Sequence, residues 1–378
     1  MRLGISSAAA AQNAEGSAVA TINGCGVTHT AGITWVSRSA GVTNVWYAIC
    51  WSPELRRFVG VGAAGNEVTT SQDGVSWVPV SVGSANDWVS VCWAPEIRLF
   101  CAVASTGTNR AMTSSNGTSW TPQTPAANAW QSVCWSPALR LFCAVSADGT
   151  SRVATSPDGV TWTPRTAAQA NSWASVCWSP ELRIFCAVSS DGTNRVMTSS
   201  DGASWTPRTS TADSYWTSVC WSPELRLFCA VSSFGTNTVM TSPDGITWTP
   251  QGSATYTWRS VCWAPELRLF CAVRDTWPSR VMTSPDGVTW TLRTEIQYNS
   301  WNGVCWSPEL KMFAAVSRDG SFRIMTSKVT DKIQNMGAVA NGTVAAVLNS
   351  SGPTGANTAI QGWLRVNING TDRYIPYW

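Results

Sequence analysis

The stretch Trp216-Thr-Ser-Val-Cys-Trp-Ser-Pro-Glu-Leu-Arg-Leu-Phe-Cys-Ala-Val231 decides the fold, because the chain carries seven versions of it. The Cys-Trp-(Ser/Ala)-Pro core begins at Cys50, Cys92, Cys134, Cys177, Cys220, Cys262 and Cys305, in steps of 42, 42, 43, 43, 42 and 43 residues. A fixed period of this length means stacked supersecondary units, none of which can bury its apolar face alone.

Each unit reads as four short strands. Strand A is Trp-x-Ser-Val-Cys-Trp, followed by a Ser-Pro-Glu-Leu-Arg turn whose proline suits position i+1. Strand B is Leu-Phe-Cys-Ala-Val, and a polar Asp-Gly-Thr-Asn turn leads to strand C, Arg-Val-Met-Thr-Ser. A Ser-Pro-Asp-Gly turn then leads to strand D, Val-Thr-Trp-Thr-Pro. β-Branched and aromatic residues fill the strands, and Gly, Pro, Asp and Asn punctuate them. Four strands in about 43 residues make one blade of a β-propeller.

The two ends of the repeat fit each other. The seventh unit, from Trp301, supplies strands A, B and C and stops near Ser327. The N-terminal Gly32-Ile-Thr-Trp35-Val-Ser-Arg38 is a strand D with no A, B or C before it. Pairing them closes a seven-membered ring and removes the exposed edges of an open stack. The expected architecture is therefore all-β: a seven-bladed propeller over 32–327, with 32–38 as the closing strand. Residues 1–31 form an N-terminal arm, 328–361 a polar Gly/Ala/Asn-rich linker, and 362–378 a β-hairpin around Asn369-Gly370.

Tryptophan serves this architecture. Of 24 tryptophans, 21 fall in three series: four residues before each core Cys, directly after it, and after the Asp-Gly turn. Each buried indole removes roughly 150–250 Å² from water, about 4–6 kcal/mol gross. Thirteen cysteines suggest a disulfide framework, but in five units they stand nine apart, across the A–B hairpin, and in the first and last units the partner is Val59 or Ala314. A site that accepts Val, Ala or Cys wants a small apolar body, which favours reduced thiols over cross-strand disulfides and folding in a reducing cytoplasm.

Charged residues make up 12% of the chain and the net charge is +3, too little to argue for nucleic acid. Met1 is followed by an alanine-rich stretch, Ala8 to Ala11, with no long apolar segment, a poor signal peptide and no membrane span. The ending Tyr374-Ile-Pro-Tyr-Trp378 carries apolar surface to bury on the ring or on a neighbour. Trp363, Tyr374, Tyr377 and Trp378 are thus candidate assembly-docking residues.

The turn Ser-x-Asp-Gly-x-(Ser/Thr)-Trp stands at 71–77, 114–120, 156–162, 199–205, 242–248 and 284–290, with Asn116 for Asp in one copy. It resembles the Asp-box (BNR) repeat of sialidase-like propellers, in a short variant where Asp and Gly are adjacent. The ending Val366-Asn-Ile-Asn-Gly-Thr-Asp-Arg-Tyr-Ile-Pro-Tyr-Trp378 resembles the ends of tailed-phage structural proteins. Tectonin-type lectins are a looser likeness, through their tryptophan-rich repeats. A WD-repeat reading fails on its Gly-His signature, since the chain has one histidine.

The first resemblance implies an arginine cluster, a tyrosine nucleophile and an acid/base residue if the chain is a glycosidase. Its arginines stand instead at a repeated turn position (Arg56, Arg98, Arg140, Arg183, Arg226, Arg268, with Lys311), near a repeated glutamate. That pattern reads as a solvated ring of turn charges. A single histidine, His29, excludes most triad and His-metal chemistry. The Asp-box carboxylates are expected to bond their own turn's amides, and no cofactor or metal is expected.

Positions where the repeats disagree carry more information. The B–C turns and D–A connections share one face of the ring. There stand Tyr215, Phe234, Tyr256, Arg274, Asp275, Trp277, Tyr298, Arg318 and Phe322, the candidate ligand- or partner-binding residues. The position after the first Trp also varies (Tyr47, Val89, Gln131, Ala174, Thr217, Arg259, Asn302) and is expected at the central channel. The expected function is a non-enzymatic structural protein of a tailed-phage virion, synthesised in the host cytoplasm. Its arm and tail would dock on other virion proteins in a homo- or hetero-assembly, its propeller facing a host-surface glycan or protein. The alternatives are a soluble carbohydrate-binding propeller lectin and a sialidase-like glycosidase.

Overall fold

The computed structural model describes residues 30–63, 67–83, 85–251, 257–276, 281–293 and 298–329 in full, and the backbone of short strands within 19–29 and 331–377. Residues Ala31–Lys328 form one compact unit, a seven-bladed β-propeller of four antiparallel strands per blade. Blade 1 is Val45–Ser52, Arg57–Ala63, Glu67–Ser71 and Val78–Ser81, its strands A to D. Blades 2 to 6 open with Trp88–Ala94, Trp130–Ser136, Trp173–Ser179, Trp216–Ser222 and Trp258–Ala264. Blade 7 is Trp301–Ser307, Met312–Ser317 and Ile324–Lys328, completed by Val36–Arg38 as its strand D. The A strands of successive blades touch all the way round, blade 7 against blade 1 included.

The closing strand pairs with strand C of blade 7 in register, Val36 opposite Thr326 and Arg38 opposite Ile324. The turn that joins C to D is split here between distant parts of the chain. The Ser327 hydroxyl accepts from the Gly32 amide at 2.8 Å, as Ser284 accepts from Gly287 within the unbroken turn of blade 6. The same hydroxyl donates to the Thr34 carbonyl at 2.6 Å. The Trp35 indole then donates to the Gly32 carbonyl, as Trp290 does to Gly287. One turn is thus reproduced without its covalent link.

Side chains that repeat are side chains that pack. The first-series tryptophans, Trp46 through Trp301, are at most 1% exposed and sit between blades with Phe58, Phe100, Phe142 and their equivalents. The cysteine pairs stand directly opposite across the A–B ladder, Cys92 on Cys101 and Cys220 on Cys229, with Cys50 on Val59 and Cys305 on Ala314. The thiols are free, and burial pushes those of strand B far above the usual thiol range. Such groups stay protonated and unreactive.

Hydrogen bonds across blades add directionality. At five junctions a strand A serine accepts from the Val amide of the next blade, for example Ser175 from Val219 at 3.2 Å. Ala48 and Gly303 replace that serine at the other two junctions. At Gly303 a Cβ would lie 2.8 Å from the Tyr47 carbonyl oxygen, so only glycine fits. Strand D is three or four residues long and half-buried to exposed, with Pro79, Pro122, Pro164, Pro207 and Pro250 in blades 1 to 5. A proline on an edge cannot donate to a foreign strand. Blades 6 and 7 carry Leu292 and Ser37 at that place.

The glutamates of the A–B turns do not form the solvated ring of charges that their repetition suggested. Each carboxylate accepts from the strand A indole of the next blade: Glu54 from Trp93, Glu96 from Trp135, Glu181 from Trp221, Glu224 from Trp263, Glu266 from Trp306 and Glu309 from Trp51, at 2.5–2.7 Å. The last of these bonds joins blade 7 to blade 1. Blade 3 has Ala138 instead, and the buried Trp178 indole N–H has no partner. The arginine two residues after each of these positions, with Lys311 in blade 7, turns the chain with φ of 46–55°, a left-handed residue that lets the hairpin close.

A second unit comprises residues 1–30 and 329–378. Within it Val19–Ile22, Cys25–His29 and Asp331–Ile333 form one sheet, and Val339–Asn341, Val344–Asn349 and Gly352–Thr354 another. The residues read as a linker thus carry strands. Gly362–Ile368 and Thr371–Tyr377 pair as a hairpin with Ile368 opposite Thr371. Trp363, Tyr374 and Tyr377 lie on its strands, their side chains outside the described residues, as is Trp378. No helix among the described residues is long and apolar enough to cross a membrane.

Candidate functional site

Two sets of non-repeating side chains meet at one mouth of the central channel. The first is the position after each first-series Trp. All seven such residues line a cavity of about 520 Å³ with Ser190, Ser233, Tyr215 and Arg318. The period places them there because each directly follows the first-series Trp on strand A of its blade. The second set is the first residue of each B–C turn: Ser105, Ala147, Ser190, Ser233, Asp275 and Arg318 in blades 2 to 7.

The mouth is lopsided. Through blades 2 to 5 both sets are small or uncharged. Charge gathers on blades 6 and 7, where Arg259 Nε donates to Asp275 at 2.7 Å and the Arg318 guanidinium lies 5.3 Å above the Tyr47 ring of blade 1. A smaller pocket of about 330 Å³ opens beside it between Val45, Asp275, Ser300, Arg318 and Asp319. The pair Arg259–Asp275 was not legible as a pair, since the partners come from strand A and the B–C turn.

The B–C turns are built to a plan. In blades 3, 4 and 7 an Asp carboxylate caps the amide just before the first Trp: Asp148 on Ala129, Asp191 on Ser172, Asp319 on Ser300, at 2.5–2.6 Å. An Asn two residues before that Trp donates to a turn carbonyl, as Asn128 does to Ser151. The turn glycine has positive φ and faces this Asn so closely that a Cβ at Gly149 would lie 2.4 Å from it. An Arg at the start of strand C then ties the turn to the next blade, Arg195 reaching the Gly192, Ser190 and Ser214 carbonyls.

Blade 5 departs from all three anchors at once, with Ser214 for Asn, Phe234 for Asp and Thr238 for Arg. The turn still closes, with backbone bonds where the capping Asp would act: Tyr215 N donates to Phe234 O at 2.8 Å and Ser233 N to Tyr215 O at 2.9 Å, while the Ser232 hydroxyl donates to the Asn237 carbonyl at 3.2 Å. Both aromatic rings are left outside, Tyr215 at 47% and Phe234 at 64% exposure. Their centroids are 5.2 Å apart at an interplanar angle of 48°. Arg195 lies 5.9 Å from the Tyr215 ring and 3.7 Å from the exposed Asp213 carboxylate. Arg195 and Asp213 were absent from the sequence reading; the three simultaneous departures in one repeat were the signal that could have pointed to them.

The other candidates divide. Tyr298, Phe322 and Arg318 are exposed on blade 7, where the Phe322 carbonyl accepts from Asn299. Arg274 is a correction: it is 1% exposed, with its guanidinium 5.4 Å from the Trp258 ring. It ends strand B opposite Trp258, at the place of the buried Ser146, Ser189 and Ser232, so it belongs to the interior of the blade and not to the face. Tyr256 and Trp277 lie outside the described residues.

On the opposite rim the Asp-Gly turns close on themselves. Asp201 Oδ1 accepts from the Ala203 and Ser204 amides at 2.8 Å, and Ser199 Oγ from Gly202. These amide bonds hold the Asp201 carboxyl below its usual range. At Asp73 and Asp158 partial burial opposes ionisation and the amide and serine bonds outweigh it. The carboxylates serve the turns, and among the described residues no cluster could hold a metal ion.

No protein-family model matches the sequence, and no curated protein matches it. Among solved structures the chain is similar to a streptogramin B lyase, with TM-score 0.68 and 7% identity over 79% of this chain and 98% of that one. It is similar also to the virginiamycin B lyase from Staphylococcus aureus, with TM-score 0.67 and 8% identity over 79% and 99%. YCF48 from Cyanidioschyzon merolae matches with TM-score 0.60 and 14% identity over 78% and 99%. At such identities the likeness is one of fold.

Proposed function

We propose that this chain is a non-enzymatic binding propeller and a structural component of a tailed-phage virion. In this reading the second unit docks on other virion proteins, and the rim of B–C turns faces a host-surface glycan or protein. The observation that carries it is the division of labour in the ring. Nearly every repeated side chain is spent on packing or on turn closure, and the exposed aromatic departures collect at one mouth. The hydrogen bonding of the Ser-x-Asp-Gly turns supports kinship with the Asp-box propellers. The phage assignment rests on the ending Val366–Trp378, whose strands pair as the hairpin that such an end would present.

The lining of the 520 Å³ cavity includes no carboxylate, and the nearby Asp275 is engaged by Arg259, which favours binding over glycoside hydrolysis. A soluble lectin is the second reading, favoured by the exposed Tyr215–Phe234 pair. The test is assembly. A chain ending at Lys328 should no longer enter particles when co-expressed with the other virion proteins. Undiminished incorporation would contradict the virion reading, and a soluble monomer that binds sugar without 329–378 would favour the lectin.

A further inference from the structure

We infer that blade 5 carries a saccharide site, with the Tyr215–Phe234 pair as the floor for a neutral pyranose ring. The inference rests on the binding reading above and names the ligand class for one place on its rim. It begins from what the aromatic residues do not do. Phe234 replaces a capping Asp, yet the amide that Asp would cap is satisfied by the Phe234 carbonyl at 2.8 Å. The turn therefore needs the Phe backbone and makes no use of its ring. That ring is 64% exposed, and the Tyr215 ring beside it 47%. Exposed apolar area has a cost in solubility that packing here does not offset.

The geometry suits a sugar more than a protein. Two exposed rings, their centroids 5.2 Å apart and tilted by 48°, offer a shallow aromatic trough at the surface. The axial C–H groups of a pyranose are apolar and electropositive, and they match the negative faces of aromatic rings. The hydroxyls on the sugar's edge need acceptors and donors, which the exposed Asp213 carboxylate and the Tyr215 hydroxyl supply. Arg195 stands behind, 5.9 Å from the Tyr215 ring and pinned by three carbonyls, so it fixes the tyrosine rather than facing solvent. Its charge is matched by the exposed Asp213 carboxylate, so the two together bring no net charge to the rings. A neutral sugar needs no counter-charge there, whereas the carboxylate of a sialic or uronic acid finds Arg195 already paired with Asp213. A protein partner would need about 800 Å² of complementary surface. The flanking turn of blade 4 offers Asp191 and a glycine instead.

The repeat itself supplies the control. Reverting blade 5 with Ser214→Asn, Phe234→Asp and Thr238→Arg restores the turn of blades 3 and 4 and removes half the trough. The full-length chain and this variant are probed by saturation-transfer NMR and titration with methyl pyranosides of glucose, galactose, mannose and N-acetylglucosamine, and with sialyllactose. At least one neutral glycoside should receive saturation from the full-length chain. In the reverted chain, and in Tyr215→Ala, its affinity should fall about tenfold or more, while Val288→Ala, at an exposed residue of the opposite rim, leaves it unchanged. Matched thermal unfolding of the reverted chain would show that the ring is intact. Failure of every neutral glycoside to bind, binding that survives the reversion, or a preference for sialyllactose would each overturn the site. Particle incorporation is read separately, so loss of the sugar site leaves the virion reading standing, and loss of incorporation leaves the sugar site standing.

Discussion

Ala138 shows how much one residue decides in a repeated structure. Six indoles of the same series donate to a glutamate of the preceding blade, and Trp178 faces an alanine. Replacing Ala138→Glu should stabilise the chain by about 1–2 kcal/mol, since a buried donor gains a charged acceptor. Removing Glu181 by Glu181→Ala should destabilise it by about 1–3 kcal/mol, because Trp221 becomes the orphan. Urea unfolding measures both. Asn116 makes the same turn with an amide that five other copies make with a carboxylate. Those carboxyls have lowered pKa values in the folded state, so their stabilisation is present above the unfolded value of about 3.9. It is lost as pH falls through the folded values. Asn116→Asp should therefore add stability at pH 7 and steepen the loss below about pH 4, read as unfolding temperature against pH.

At the scale of elements, the split turn is the distinctive part. Ser327 joins strand C of blade 7 to the closing strand with no peptide link to help. Ser327→Ala should release Val36–Arg38 locally, so that its amides exchange faster while those of blades 2 to 5 stay protected. The equivalent Ser284→Ala should leave its strand D in place, because the chain itself holds it. Most of this level was legible in the sequence. The period, the tryptophan series and the orphan Gly32–Arg38 segment gave the blades, their strands and their closure, because each is a local pattern repeated seven times. What was not legible lies one blade away. The Glu–indole bonds join residues about one period apart in sequence, and only the rotation from blade to blade shows which carboxylate meets which ring. Arg274 was misplaced for a simpler reason. It is the last residue of a strand rather than the first of a turn, and its alignment with buried serines could have shown this.

At the scale of the whole molecule, the ring is one compact unit over Ala31–Lys328 and is held by contacts between neighbours. A chain cut after Lys328 should keep the unfolding temperature of the ring within a few degrees of the full chain, measured by calorimetry. The candidate site belongs to this scale also. Its positions were legible as places where repeats disagree, and all seven residues after the first Trp were expected at the channel. The assembly of Arg259 with Asp275 and of Arg195 with Tyr215 and Asp213 was not, since it depends on which turns become neighbours. The ring is closed by its own N-terminal strand, and amide hydrogen exchange of Val36–Arg38 in the intact protein tests this most directly. Closure predicts protection of the Val36 and Arg38 amides like that of Thr206 and Arg208 in blade 4, lost only when the whole ring unfolds. Exchange at the rate of a free peptide under native conditions would contradict it.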